Sequence, residues 1–285
     1  MYRGFAISQR GASHIAKETP CQDAADYVVG DGYAVAAVSD GHGGEKYFRS
    51  ACGSQFAVAE TLRCLQEFLK NYGESLINTT KEGQHELLKH LSARIISAWQ
   101  DEIKKHFANQ PLAPHEQDIC SKYDIPADFQ SYFYGATLLY ACITPDYSFA
   151  SQIGDGACVF FDTDTHPGMP AELEDARLGF SLTTSLCDAA AIDNFRHHFI
   201  SAAADPPWGL PKAVFLYTDG VVDSYERASF LAGFNRSVFD EMNKDEENTK
   251  AQLEHWLPEL SAQGSQDDVS MAGVYRHDDA EGQEV

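Results

Sequence analysis

The chain has 285 residues, 44% of them hydrophobic, and carries 43 Asp and Glu against 21 Lys and Arg, a formal net charge of −22. That length suits one large domain or two ordinary ones, and the apolar content can fill a sizeable core. So acidic a surface repels nucleic acid and anionic membrane, which are held by clustered cations, and neither is expected as a partner.

The opening Met1-Tyr-Arg-Gly-Phe-Ala-Ile-Ser8 lacks the roughly 7–15-residue apolar core of an export signal. No apolar run reaches the roughly 18 residues of a membrane span. Seven cysteines, an odd number without paired spacing, outline neither a disulfide framework nor a zinc site. Cys52, Cys64, Cys142 and Cys158 fall within apolar patterns and are expected as buried free thiols in a reducing cytoplasm. With no linker rich in Pro, Gly or Ser and no internal repeat, one domain is expected over residues 1–276, with a disordered tail over residues 277–285.

In chain order, residues 2–8 alternate as a strand and residues 9–20 read as polar loop. Tyr27-Val-Val, Gly-Asp-Gly and an apolar run over residues 33–38 predict a hairpin. That run ends in Ser39-Asp-Gly-His-Gly-Gly44, whose glycines permit a sharp turn and a close backbone approach to a ligand. Residues 45–71 predict a long helix with Phe48, Cys52, Phe56, Ala59, Leu62, Leu65 and Leu69 on one face. A second helix is expected over residues 82–107. The proline-punctuated residues 109–129 read as an irregular excursion. Residues 132–143, 147–153 and 157–161 predict consecutive antiparallel strands joined by short turns, and residues 162–171 a loop. Residues 177–184 and 199–203 are further strand candidates, and residues 212–218 a firmer one. Helical patterns cover residues 228–243 and 247–261, before a last strand over residues 269–276. Strands cluster at the start, middle and end, which fits stacked antiparallel sheets covered by helices.

Three acidic sites stand beside apolar strands. Asp40 follows the first such run. Thr218-Asp-Gly-Val-Val-Asp223 follows another, and a helical turn after Gly220 brings Asp223 back toward Asp219. Gly264-Ser-Gln-Asp-Asp268 precedes the last strand. An Asp-Gly pair is also an ordinary turn, but Asp40, Asp219 and Asp267 together point to a cluster of hard oxygen ligands suited to magnesium or manganese. Cysteine-based phosphatase chemistry is excluded, because no cysteine is followed six positions on by arginine. Neither a complete P-loop or dinucleotide glycine pattern nor a Gly-x-Ser-x-Gly elbow occurs.

The ordered set Ser39-Asp-Gly-His-Gly-Gly44, Tyr134-Gly-Ala-Thr137, Gly154-Asp155-Gly156, Thr218-Asp-Gly-Val-Val-Asp223 and Gly264-Ser-Gln-Asp-Asp268 resembles the metal-dependent protein phosphatase family, type 2C. The resemblance implies an α+β fold, a four-layer α/β/β/α sandwich of two stacked, mainly antiparallel sheets flanked by helices. It implies two Mn2+ or Mg2+ ions and a weaker third. Asp40 would bridge two ions, with the Gly41 carbonyl on the second and Asp219 and Asp267 completing the first. Asp155 and Asp223 would hold the third; read from the residues alone, Asp155 is a hairpin turn. The implied reaction is hydrolysis of phosphoserine or phosphothreonine in proteins by a metal-activated water, with His42 as general acid.

The N-terminal motif departs from the family's. Gln22 stands where a ligating glutamate is expected and Glu18 where the phosphate-binding arginine is expected. Gln22 or Asp23 must then serve the metal, and His14, Lys17 and Lys46 are the candidates for holding phosphate. Asp268, in place of a neutral residue, is expected to cap the last strand. Residues 188–211 occupy the place of a variable flap, and Trp208 within it would contact a partner or anchor the loop. A monomeric cytoplasmic enzyme acting on a phosphoprotein, opposite a cognate Ser/Thr kinase, is expected. A weakly active or non-catalytic phosphoprotein binder is the alternative, while a phosphodiesterase or nuclease is disfavoured by the acidity.

Overall fold

The computed structural model describes residues 1–126, 129–162, 164–175, 183–202 and 209–277. Strand β1 (Tyr2–Gln9) leads through the short helix α1 (Ala12–Ala16) to the hairpin β2 (Ala24–Gly30) and β3 (Tyr33–Ser39), after which a 3-10 turn (Glu45–Tyr47) precedes the long helices α2 (Ser50–Ile77) and α3 (Lys81–Asn109). Helices α4 (Pro114–Tyr123) and α5 (Gln130–Phe133) follow, then β4 (Leu138–Ile143), β5 (Tyr147–Ile153), β6 (Ala157–Phe161) and the two-residue β7 (Pro167–Gly168). The one-turn helix α6 (Ala191–Asn194), β8 (Arg196–Ser201), β9 (Ala213–Tyr217), α7 (Asp219–Val222), α8 (Ala228–Lys244), α9 (Glu246–Gln263) and β10 (Val269–Arg276) complete the order.

The strands form two five-stranded sheets, β1-β10-β9-β6-β7 and β2-β3-β4-β5-β8, paired antiparallel throughout. Alternation assigns each strand two faces. Ala34, Ala36 and Val38 of β3, with Leu139 and Ala141 of β4, meet Val214 and Leu216 of β9 and Ala272 of β10 between the sheets. Val35 and Ala37, Leu138, Tyr140 and Cys142 point the other way, onto Leu65, Phe68, Leu91, Ile95 and Trp99 of α2 and α3. Phe161, Phe215 and Tyr275 do the same against Phe239 and Met242 of α8 and Leu253 and Leu257 of α9. The result is the expected four-layer α/β/β/α sandwich, with alanine-rich inner faces that let the sheets lie close.

Several local expectations are corrected. Residues 45–49 are not the first turn of α2; Arg49 donates its backbone N–H to Phe133 O (3.0 Å), and regular helix begins after it. The loop over residues 9–20 contains α1. The proline-rich excursion folds as α4 and α5: Pro114 sits in the first turn of α4, where a missing N–H costs nothing, and Glu116 Oε2 accepts the Ala113 N–H (2.8 Å). Residues 132–137 are helix end and loop, so β4 starts later. β6 does not continue the β4–β5 meander but pairs with β9 in the other sheet. The loop over residues 162–171 holds β7. Of the strand candidate over residues 177–184, Thr183 and Thr184 are not in a strand and the rest lies outside the described residues. Trp208 and residues 278–285 also lie outside them, whereas His277 pairs with Met1 through both backbone groups. All seven cysteines are free, and of the four expected inside, Cys52 is only half-buried. Among the described residues no helix is long and apolar enough to cross a membrane.

Candidate active site

Antiparallel register delivers the acidic residues to one edge of the sandwich. β3 ends at Ser39, opposite the first residue of β2, and β5 ends at Ile153, opposite the first residue of β4. In the other sheet Tyr217, the last residue of β9, faces both Met271 near the start of β10 and Ala157 at the start of β6. Asp40, Asp155, Asp219 and Asp267 therefore leave the sheets on the same side. Asp155 belongs to the link that carries the chain from one sheet to the other, and Gly154 takes φ +110° there, a backbone state that L side chains rarely adopt.

Hydrogen bonds fix the first loop. Thr137 donates its N–H to Asp40 O (2.8 Å) while its Oγ1 accepts the Asp40 N–H (3.0 Å). The Ser39 hydroxyl donates to Thr137 O (2.5 Å). Gly41 donates its N–H to Gln22 O (3.1 Å), and a Cβ there would lie 2.6 Å from that oxygen and 2.7 Å from Ser50 O, so only glycine fits. Asp219 opens α7, and Asp223 N–H returns to Asp219 O at 2.7 Å, the helical turn foreseen.

An open cleft of about 660 Å3 lies at this edge, lined by Asp40, Gly41, His42, Asp155, Asp219 and Asp267 together with His14, Lys17, Gln22, Tyr47 and Ser185. Carboxylate oxygens of Asp40, Asp155 and Asp219 come within 4.8 Å of one another. Burial, then the charges of Asp23, Asp219, Asp267 and Asp155, pushes the Asp40 carboxyl well above the ordinary carboxylate range. Burial followed by Asp155, Asp267 and Asp223 pushes Asp219 up to about 7. Burial and like charge both disfavour the ionised carboxylates here, an arrangement that a cation would relieve.

Asp267 stands apart from that trio. Its side chain is 54% exposed and its Oδ1 lies 3.7 Å from His14 Nε2. Asp223 is exposed at the margin; burial of its carboxyl and the charges of Asp155 and Asp267 raise it. Asp23 is buried, accepts from the Thr218 hydroxyl at Oδ2 (2.8 Å) and is not among the residues lining the cleft, although its charge acts on Asp40 from behind the lining. Gln22 does line the cleft; its Nε2 donates to Ser50 Oγ (2.6 Å) and His42 O (3.2 Å), which leaves the amide oxygen uncommitted.

His42 is held by its backbone N–H to Gly135 O (3.0 Å) and meets Tyr47 edge to face, with ring centroids 4.8 Å apart. Its Nε2 lies 2.7 Å from Ser185 Oγ, and the Ser185 hydroxyl also reaches Ala136 O (3.2 Å). Burial lowers the His42 pKa while Asp155 and Asp188 oppose that fall. Asp188 Oδ2 accepts the Ser185 N–H (2.9 Å), and Thr183 donates to Asp155 Oδ1 (2.8 Å). Ser185, Asp188 and Thr183 belong to no motif, and nothing in the chain around them singles them out.

Of the expected phosphate holders, His14 and Lys17 line the cleft and Lys46 does not; its ammonium lies over the rings of Tyr123 and Tyr132. Asp268 does not cap its own strand. Only 3% exposed, it accepts the N–H of Gly11 and of Gln22, each at 2.6 Å, and lies 2.8 Å from His14 Nδ1, though not in line with that ring's N–H direction.

The chain resembles solved phosphatases over nearly its whole length. It superposes on the catalytic domain of the serine/threonine phosphatase PstP in complex with two manganese ions at TM-score 0.54 and 16% identity, covering 97% of this chain and 99% of that one. The Mycobacterium tuberculosis phosphatase PstP/Ppp gives 0.53 and 15%, again over 97% and 99%. PppA from Pseudomonas aeruginosa gives 0.53 and 13%, over 96% and 97%. These identities establish a shared fold. No curated protein matches the chain by sequence. Residues 10–258 match the sequence family described as Protein phosphatase 2C, and with that match spanning most of its length the chain belongs to the protein phosphatase 2C family.

Proposed function

We propose that the protein is a metal-dependent phosphatase acting on phosphoserine or phosphothreonine in proteins, using two Mn2+ or Mg2+ ions and a weaker third. The observation that carries this reading is the trio Asp40, Asp155 and Asp219, whose carboxylate oxygens crowd within 4.8 Å, with burial and neighbouring carboxylates raising Asp40 and Asp219. Hard oxygen donors that repel each other in a half-closed cleft fit a divalent cation. Asp40, Asp155 and Asp219 would hold it, with the Gly41 carbonyl, Asp267, Asp223 and the Gln22 amide oxygen at the flanks. When bound, such ions supply Lewis-acid neutralisation of phosphoryl charge and make water acidic enough to act as nucleophile near neutral pH.

The remaining chemistry belongs to the chain. The phosphate enters past Lys17, a cleft-lining cation that can offset its charge, and past His14 on the same lining. His42 serves as general acid for the departing seryl or threonyl oxygen, an alkoxide too basic to leave unprotonated. With the Ser185 hydroxyl committed to Ala136 O, Ser185 accepts from His42 Nε2–H, and the proton that is given up sits on Nδ1. Asp155 and Asp188 favour the protonated ring against burial. The reaction balances as one water consumed, one P–O bond formed to its oxygen, the P–O bond to the seryl or threonyl oxygen broken, that oxygen protonated, and phosphate released.

The test is hydrolysis of a phosphothreonine peptide with Mn2+ by wild type and by Asp219→Ala. A loss of about 1,000-fold, some 4 kcal/mol of transition-state stabilisation, is expected in the variant. Equal low rates in both proteins would support the second reading, a phosphoprotein binder without turnover, which Gln22 and Glu18 at the glutamate and arginine positions favour.

A further inference from the structure

The His42 side of the cleft is walled by aromatic rings. From His42 the row passes to Tyr47 (4.8 Å between centroids), on to Tyr132 (4.9 Å) and then to Phe129 (5.6 Å). Tyr47 lines the cleft, whereas Phe129 is 47% exposed, so the row runs from the active site out onto the surface. Lys46 lies along it, with its ammonium 5.8 Å from the Tyr123 centroid and 5.9 Å from that of Tyr132, within cation–π range of both. The neighbouring Lys122 is neutralised by Glu45 at 2.6 Å. Lys46 has no carboxylate partner among the described residues, although acids outnumber bases by 43 to 21 in this chain.

The turn that carries Lys46 and Tyr47 is anchored by Arg49. Arg49, just beyond the 3-10 turn that carries Lys46 and Tyr47, makes a buried two-pronged ion pair with Glu116 of α4 (2.9 and 2.7 Å). The same guanidinium donates to Gln110 O (2.7 Å), Pro111 O (3.2 Å) and Tyr134 Oη (3.0 Å). Arg49 thereby ties the turn bearing Lys46 and Tyr47 to α4 and to Tyr134, and a contact surface held in place before binding loses little entropy on binding.

The polypeptide of a phosphoprotein continues from the oxygen that would take its proton from His42, and the wall begins at Tyr47 beside that ring. We propose that the ledge formed by Lys46, Tyr47, Tyr123 and Tyr132 docks the flanking polypeptide of the substrate, and that Lys46 selects an acidic residue next to the phosphorylated serine or threonine. The direction of the chain rests on the phosphatase reading; the ledge and its unpaired cation do not. The tyrosine faces supply flat amphipathic contact for the peptide, and the fixed cation supplies charge selectivity.

The test uses two fluorescein-labelled phosphoserine peptides that differ only in carrying Glu or Lys at both adjacent positions. Each is measured with Mn2+ by kcat/KM and by anisotropy titration, with p-nitrophenyl phosphate as a substrate that has no flanking chain. Wild type should prefer the Glu peptide by about fivefold in both readouts, the size of a partly exposed ion pair. Lys46→Glu should reverse the preference, and Tyr132→Ala should weaken both peptides through KM, with thermal unfolding confirming that the variants are folded. An unchanged Glu-to-Lys ratio in Lys46→Glu overturns the proposal while leaving the phosphatase reading intact if p-nitrophenyl phosphate is still hydrolysed. Absence of all turnover with the binding preference retained and reversed in Lys46→Glu supports the ledge and removes the phosphatase reading instead.

Discussion

Two groups of three ligand-type side chains sit a few residues apart at this edge of the sandwich, and they have opposite fates. In the trio Asp40, Asp155 and Asp219 the protein supplies repulsion: burial and neighbouring carboxylates raise Asp40 and Asp219. In the group His14, Asp267 and Asp268 the protein supplies the compensation, because Asp268 accepts two backbone N–H groups at 2.6 Å and lies against His14. Both are acidic clusters within 4.8 Å. What separates a site from a staple is whether donors of the fold already answer the charge. Asp268 joins the segment before β10 to Gly11 and Gln22 near the other end of the chain, so it closes the fold; Asp40 and Asp219 keep carboxyls that burial and like charge hold above the ordinary range.

That contrast can be broken most severely at Asp268. Replacing it by alanine leaves the Gly11 and Gln22 N–H groups buried without acceptors, at a cost of about 3 kcal/mol. Chemical denaturation should show this loss with and without Mn2+. A wild-type midpoint would mean that Asp268 is no staple.

The next largest effect sharpens the other side. Saturating Mn2+, at about 100 times its dissociation constant, should stabilise wild type by about 2.7 kcal/mol. The same titration should leave Asp219→Asn almost unmoved and still stabilise Asp268→Ala. Stabilisation that survives in Asp219→Asn would place the cation elsewhere.

The most gradual effect, spread over about three pH units, is one of pH. Asp219 is raised to about 7 from its ordinary 3.8, so between about pH 4 and about pH 7 the folded protein holds a proton that the unfolded chain has released. Metal-free stability is therefore highest at the acid end of that window and falls as pH rises through it, by at most about 1.4 kcal/mol per pH unit for this group. Asp219→Asn should flatten the fall. An unchanged slope would show that the carboxylate does not titrate with folding.

Much of this was legible beforehand, and the misses have specific causes. Hydrophobic period gave β3, β5, β6 and β10 nearly to the residue, because a strand buried on both faces is a continuous apolar run bounded by turn residues. Period gave the strands but not their sheets: β6 reads like the third strand of a meander, and only its pairing with β9 shows that Gly154-Asp155-Gly156 is a crossing and not a hairpin. The same crossing lifts Asp155 from turn residue to member of the trio. The excursion over residues 109–129 was misread from its prolines, since Pro114 starts a helix as readily as it breaks one. Ser185, Asp188 and Thr183 were invisible because a hydroxyl or carboxylate acquires its role from the partner across the cleft, not from its chain neighbours.

The sequence by itself determined which acidic residues end strands, which glycines permit the loops, and that helices cover two antiparallel sheets, because these follow from local sterics and from the period of apolar burial. Only the tertiary structure decided which carboxylates are left uncompensated, that Asp268 is satisfied by backbone N–H groups more than two hundred positions away, and that Lys46 lies on tyrosines outside the cleft. Charge compensation is summed over distance in space, and positions along the chain do not carry that distance.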